Sequence, residues 1–365
     1  MAPRIAIIGA GAVGGYIGAQ LAAAGEDVTL VDGWAAHVAA VRAYGFRVDG
    51  MAPEETAAIP VTMLHESEIG RLGEGPAIDL TFIAVKSYAT RHAAERIRPF
   101  LAPGALVVSA QNGINEDVIG EVVGHGRVAG LIAARIGVEL DGPGHVQRMV
   151  PRGSPGIDVF RVGEPDGRLT ERIEALGALL RKVDSVKVTT NLAGERWSKL
   201  AANAMRNGVS AASGLSINAL DRDPALRRFG IKVAGEAIRV GERLGFALES
   251  IGPVPATLYA RADEGDGAAL AKVEEALLAA ALATKARSDA QRPSMGQDVA
   301  KGRPTEVEEI YGLVIARARE VGVAVPANEH VRAVVREIEA GRAKPHPALL
   351  LSFASRGTDQ PAHAV

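Results

Sequence analysis

The chain opens on a strand that turns directly into a helix. Residues 4 to 21 read RIAIIGAGAVGGYIGAQL, with a β-branched run, three glycines spaced G-x-G-x-x-G, and then an alanine- and glycine-rich helical pattern. Each glycine has its own steric reason. Gly9 permits the tight turn, Gly11 lets a ligand reach the backbone, and Gly14 lets helix and strand approach closely. The stretch Gly9, Ala10, Gly11, Ala12, Val13 and Gly14 therefore ends at a helix N-terminus whose N–H groups and dipole favour an anion, such as the pyrophosphate of a dinucleotide. A parallel strand pair also needs a crossover, which restricts the chain to a small set of βαβ architectures.

The same rhythm continues through the first half. DVTLVDG follows the first helix, IDLTFIAVK precedes YATRHAAERIRPFL, and ALVVSAQNG follows Pro103-Gly104. This predicts an α/β domain over residues 1–188 with a Rossmann-type doubly wound parallel sheet. GRVAGLIAARIGVELDGPGHVQRMV (126–150) is expected to complete that sheet through strands and a Pro-Gly turn. From about residue 189 the period becomes helical, with helices expected over 223–246, 255–287, 304–321 and 326–340. The reading is an all-α domain over 189–341 and a loosely held tail over 342–365, which carries three prolines and no sustained period.

Composition removes several function classes. A formal charge of −2 supplies no field that would recruit nucleic acid or an anionic membrane. The absence of cysteine excludes disulfides, thiol nucleophiles and cysteine-bearing metal sites. The eight histidines are scattered, so no metal is expected. No leader is recognised at the N-terminus, and the apolar stretch 267–287 carries Lys272, Glu274 and Glu275, so a cytoplasmic location is expected.

Three strand ends in the first domain carry polar groups. Asp32 closes the second strand 18 positions after Gly14, where a carboxylate can accept both ribose hydroxyls and repel a 2′-phosphate. It favours NAD(H), with NADP(H) still possible; a turn cap is the other reading of the same aspartate. Lys86 ends the strand FIAV, and Asn112 sits in the Gln-Asn-Gly turn after VVSA. A solvated lysine and an ordinary Asn-Gly turn explain these two equally well.

The second domain holds the least ordinary pattern. GERWSKLAANAMRNGVS (194–210) is apolar except for a few positions, yet Lys199, Asn203 and Asn207 fall four residues apart on one helix face. Buried amides and ammonium groups need partners. Bonds between helices would satisfy Asn203 and Asn207, and Lys199 could extend to solvent; a ligand would satisfy all three. A second polar stretch, RPSMGQDVAKGRPTEVEEIYG (292–312), offers Ser294 and Glu306. Glu306 could hold Lys199 charged, or simply complement a helix dipole.

Together these stretches resemble the ketopantoate reductases (2-dehydropantoate 2-reductases). The resemblance runs from residue 4 to about 340 and is carried by GAGAVGGYIGAQL, FIAVKSYAT, QNGINED, PGHV, WSKLAANAMRNGVSA, SMGQDVAKGRPTEVEEIYGLV and GVAVPANEHV. It implies reduction of ketopantoate by a nicotinamide cofactor, at an active site between the two domains. Lys199 matches the family's general acid, and Glu306 the acidic partner near that lysine and the cofactor. Asn203, Asn207 and Ser294 match substrate-holding residues. Asn112 and Lys86 match residues at the nicotinamide side, Asn112 facing substrate as well. An unperturbed lysine, with a pKa about 10.4, would be charged and ready to donate at neutral pH.

The chain departs from the family in three places. Asp32-Gly33 stands where NADPH users carry a basic residue, the segment 246–293 is longer than usual, and Arg292 lies close to Ser294. An NAD-dependent reductase of another branched or aromatic 2-oxo acid is thus a second reading, and a non-catalytic NAD(H) sensor a third. The implied partner is a small 2-oxo acid, with a homodimer possible.

Overall fold

The computed structural model describes residues 3–153, 156, 158–283 and 292–356. The chain divides into two compact units, Met1–Ala193 and Gly194–Val365.

The strands of the first unit are β1 (Arg4–Ile8), β2 (Asp27–Asp32), β3 (Phe46–Asp49), β4 (Ala57–Ile59), β5 (Thr62–His65), β6 (Ile78–Ile83), β7 (Leu101–Ser109), β8 (Val128–Ala133), β9 (Val138–Gly142), β10 (His145–Arg148), β11 (Phe160–Gly163) and β12 (Val186–Val188). Eight of them form one sheet in the order β12-β11-β8-β7-β6-β1-β2-β5. Every pair from β5 to β8 is parallel, and β11 runs antiparallel to β8. β1 lies inside the sheet, with Ile7 opposite Leu30 on one side and Phe82 on the other.

The apolar run of β1 reflects burial on both faces. Ile5 and Ile7 belong to one core cluster, and Ala6 and Ile8 to the other. Helices α1 (Ala12–Ala23), α2 (Ala35–Tyr44), α3 (Thr90–Ile97), α4 (Glu116–Val123) and α5 (Glu171–Leu180) complete this unit. From β1 the chain passes to β2 on one side and later to β6 on the other. The point between β1 and β6 is the switch where such sheets bind ligands.

One expectation about this sheet is corrected. Only β8 of the stretch 126–150 joins it. β9 and β10 instead make a second sheet, ordered β4-β3-β10-β9. β9 contains Glu139 and Asp141 and cannot be covered on both faces. β10 instead pairs with β3, where His145 Nε2 lies 2.9 Å from Asp49 Oδ2.

The described part of the second unit is helical. α6 (Leu192–Asn203) crosses the division between the units and continues through a π-helical turn (Ala204–Gly208) into α7 (Val209–Ser213). Then come α8 (Ile217–Arg222), α9 (Pro224–Arg243), α10 (Ala256–Asp263), α11 (Gly267–Ala283) and α12 (Ser294–Ala300). A second π turn (Glu308–Gly312), α13 (Leu313–Val321), α14 (Pro326–Glu339) and α15 (Ala348–Arg356) follow.

α9 starts where Asp223 caps the N–H groups of Ala225 and Leu226 and Pro224 occupies the first turn. It forms the spine of the unit. Trp197 donates its indole N–H to Ala237 C=O at 2.8 Å. Glu236, buried in the middle of α9, accepts the N–H groups of Ala327 and Asn328 at the start of α14.

The single helix expected over 255–287 is two helices. Gly265, at φ +95°, ends the first, and Asp266 caps the N–H groups of Ala268 and Ala269 to start the second. Residues 284–287 of that expectation lie outside the described residues. The tail is corrected as well. Pro345 and Pro347 precede α15 rather than prevent it, Leu350 is fully buried, and His346 N–H donates to Ala212 C=O at 2.8 Å. The rest of the tail, from 357, is outside the described residues.

Candidate active site

The glycine turn has the shape that its spacing predicts. Gly9 adopts φ +94°, and a Cβ there would lie 2.6 Å from Val85 N. A Cβ on Gly14 would come within 2.1 Å of Gly9 O, so α1 can sit this close to the sheet only without a side chain. At Gly11 a Cβ would meet nothing within 4 Å. No side chain caps α1. Open space before an uncapped helix start, with its N–H groups unused by side chains, fits a pyrophosphate.

His37 supports this turn, although its place in a plain helical pattern gave no sign of it. Gly144 N–H donates to its Nδ1 at 2.8 Å, so Nε2 carries the proton and donates to Ala10 C=O at 2.9 Å. Burial lowers the His37 pKa and keeps this neutral tautomer. The ring stacks on Trp34, which remains 43% exposed beside Asp32. The Asp32 carboxylate does cap a turn, Oδ1 accepting Trp34 N–H at 2.8 Å. Among the described residues Oδ2 makes no hydrogen bond.

Lys86 and Asn112 lie on the neighbouring loops after β6 and β7, which a buried polar network ties together. Asn112 C=O accepts from Ser87 Oγ and from Asn115 Nδ2, both at 2.8 Å. Gln111 Nε2 donates to Val85 C=O at 2.9 Å and to Thr90 Oγ1 at 2.8 Å. Ser87, Thr90 and Asn115 were not among the expected residues. In the sequence they are visible only as members of FIAVKSYAT and QNGINED, two of the stretches that carry the resemblance. The network fixes the Asn112 backbone and leaves its side-chain amide without a hydrogen bond among the described residues.

In the second unit, Lys199 and Asn203 lie on α6 and Asn207 in the π turn after it. The turn improves the alignment that the spacing predicts. A regular α-helix advances about 100° per residue, which would leave Asn207 about 80° round the axis from Lys199. The wider π turn advances about 80° per residue and brings Asn207 back nearly over Lys199.

Asn207 is only 6% exposed, and among the described residues neither Asn203 nor Asn207 makes a side-chain hydrogen bond. Among the described residues the two amides do not bond to another helix. Ser294 begins α12, which packs against both the π turn and α7, and its hydroxyl likewise makes no bond among the described residues.

Glu306 is 5% exposed, just after Thr305, whose hydroxyl accepts Val307 N–H at 3.2 Å. Its carboxylate acts electrostatically on Lys199. The expectation of an ordinary lysine is corrected here. Burial pulls the Lys199 pKa down to about 7, the buried Arg196 guanidinium pushes the same way, and Glu306 opposes both. The amine therefore changes charge near neutral pH. A lysine poised in this way can give a proton to an oxygen gaining negative charge, or take one back. Among the described residues no group of acidic or histidine side chains is placed to hold a metal, and no helix is long and apolar enough to cross a membrane.

Comparison with known proteins identifies the family. Residues 5–156 match the ketopantoate reductase PanE/ApbA family, and residues 191–339 match its C-terminal domain. A 2-dehydropantoate 2-reductase from Mesorhizobium japonicum is 28% identical, the match covering 93% of this chain and 98% of the relative. A PanE/ApbA family ketopantoate reductase from Ralstonia eutropha superposes with a TM-score of 0.74 at 28% identity, covering 93% of this chain and 99% of that one. A D-mandelate dehydrogenase solved with NADH and anilino(oxo)acetate shares the fold, with a TM-score of 0.73 at 20% identity over 93% of this chain and 99% of that one. The two matched regions span both units, and the chain belongs to the ketopantoate reductase family, oxidoreductases that act on a CH–OH group with a nicotinamide cofactor.

Proposed function

We propose that this protein reduces a 2-oxo acid, ketopantoate first among them, to the 2-hydroxy acid, with Lys199 as the general acid. The observation that carries the reading is a lysine, its pKa pulled down to about 7 by burial, in line with two amides that make no side-chain hydrogen bond among the described residues. The bound nicotinamide supplies the hydride. As the carbonyl carbon receives it, the carbonyl oxygen gains charge, and the Lys199 ammonium stabilises and then protonates that oxygen. The neutral amine left behind regains its proton from water.

Asn203, Asn207 and Ser294 hold the carboxylate and the substrate's own hydroxyl, fixing the oxo acid for attack. Glu306 keeps part of the Lys199 population charged. The Gly9–Gly14 turn holds the pyrophosphate, Asn112 and Lys86 meet the nicotinamide side, and Asp32 Oδ2 accepts from the adenosine ribose. Trp34 offers an exposed ring beside that carboxylate for the adenine. A carboxylate at this position opposes a 2′-phosphate, which makes NADH the preferred donor.

The test is steady-state reduction of ketopantoate and several bulkier 2-oxo acids with each cofactor, for wild type and Lys199→Ala. Lys199→Ala should fold, bind cofactor and lose about 100-fold or more in turnover; near-wild-type turnover refutes the role. A higher kcat/KM with NADPH refutes the Asp32 assignment. A second reading, reduction of another branched or aromatic 2-oxo acid, is favoured by Arg292, which is held on Gly214 C=O at 2.8 Å two residues before Ser294. A ketopantoate rate no better than the others would select it.

A further inference from the structure

The π turn that aligns Asn207 with Lys199 has a local cause. In an α-helix Gly208 N–H would donate directly to Ala204 C=O, four residues back. Here the phenol of Tyr311 stands between them. Gly208 N–H donates to the Tyr311 oxygen at 3.0 Å, and the Tyr311 hydroxyl donates to Ala204 C=O. A side chain inserted into the helical ladder widens the turn that it enters.

The insertion depends on a glycine. A Cβ at position 208 would lie 2.4 Å from both the Tyr311 hydroxyl and its ring. Tyr311 is fully buried, and both of its hydrogen-bonding directions are spent on this one turn. It also lies five residues after Glu306, in the second π turn, so the contact joins the segment bearing the carboxylate to the helix bearing the amine.

We propose that Tyr311 is a positioning residue for the Lys199–Asn203–Asn207 array: its hydroxyl props the helix open at Ala204–Gly208 and so sets both the direction of Asn207 and the approach of Glu306 to Lys199. The proposal rests on the reading of that array as the substrate and proton-donor site. If the hydroxyl is removed, Gly208 N–H and Ala204 C=O can close into an ordinary α turn. Asn207 then rotates away by about 70° relative to Lys199.

Tyr311→Phe keeps the ring and deletes the prop. Gly208→Ala keeps the hydroxyl and evicts it. For both, kcat/KM for the oxo acid should fall about 10- to 100-fold, the range expected for a misplacement of this kind. Cofactor Kd should stay within about twofold, because the glycine turn is untouched. The pH midpoint assigned to Lys199 should move, and the double variant should be no worse than the poorer single one.

A purely structural tyrosine would lower the thermal midpoint and leave the folded enzyme's kcat/KM and pH midpoint unchanged. That result, in either variant that folds, overturns the proposal. Lys199→Ala separates the two levels. If it abolishes turnover while both other variants behave as wild type, only the role of Tyr311 fails. If Lys199→Ala retains turnover, the array itself has been misread and the role of Tyr311 falls with it.

Discussion

The low pKa of Lys199 makes a quantitative prediction in both directions of the reaction. With a pKa of about 7 in place of 10.5, the ammonium makes up about half of the free enzyme at pH 7 and about one hundredth at pH 9. Reduction needs the ammonium, so its kcat/KM should be flat below about pH 7 and fall about tenfold per pH unit above it. Oxidation of the 2-hydroxy acid needs the neutral amine and should show the opposite limb, rising to a plateau above about pH 7. Following absorbance of the reduced cofactor at constant ionic strength reads both limbs. Competitive acetylation of the free enzyme, mapped to Lys199, reads the same ionisation without turnover.

The shift also has a cost in stability. The unfolded chain keeps its proton up to about 10.5, so stability must rise with pH between about 7 and 10.5, and the penalty is fully present below 7. Its upper size is about 4–5 kcal/mol, trimmed by the partial exposure of the side chain. Lys199→Met should therefore be more stable than wild type at pH 7, with the advantage vanishing toward pH 10.5. Profiles that break only near pH 10, or a Lys199→Met stability difference that ignores pH, would refute this account of the site.

Two further outcomes follow from local geometry. Gly11→Ala meets open space and should leave the thermal midpoint unchanged while weakening cofactor binding about tenfold or more, whereas Gly14→Ala, driven into Gly9 O, should lower both stability and binding; calorimetry and cofactor titration on the pair check this. Glu236→Ala removes the acceptor for the N–H groups of Ala327 and Asn328 and for Asn328 Nδ2, and should destabilise the protein by about 2–4 kcal/mol in urea unfolding, with Glu236→Gln milder.

Much of this protein was legible because its signals are local. The G-x-G-x-x-G turn, the β-branched runs and the shift to helical period each reflect sterics or burial acting over a few neighbouring residues, and they located the central sheet and the helical second half. Lys199, Asn203 and Asn207 stood out because polar groups on an apolar face need an explanation, and Glu306 because it lies at a helix start in a second polar stretch.

What the sequence could not carry were effects between residues far apart in the chain. The β9–β10 hairpin looked like part of the main sheet, since a strand pattern does not name its partner; pairing with β3 decided that. The last helix was hidden by the prolines before it, and in the structure it is held by burial of Leu350 and by His346 N–H on Ala212 C=O. His37 reads as one more helical residue until Gly144 and Ala10 fix its two nitrogens. The pKa of Lys199 depends on burial and on Glu306, which is 107 residues away. Tyr311 reaches a helical turn 103 residues earlier in the chain and changes its pitch. Periodicity can place three polar side chains on one helix face, but only tertiary contact could set the charge of the lysine and turn the second amide back into line with it.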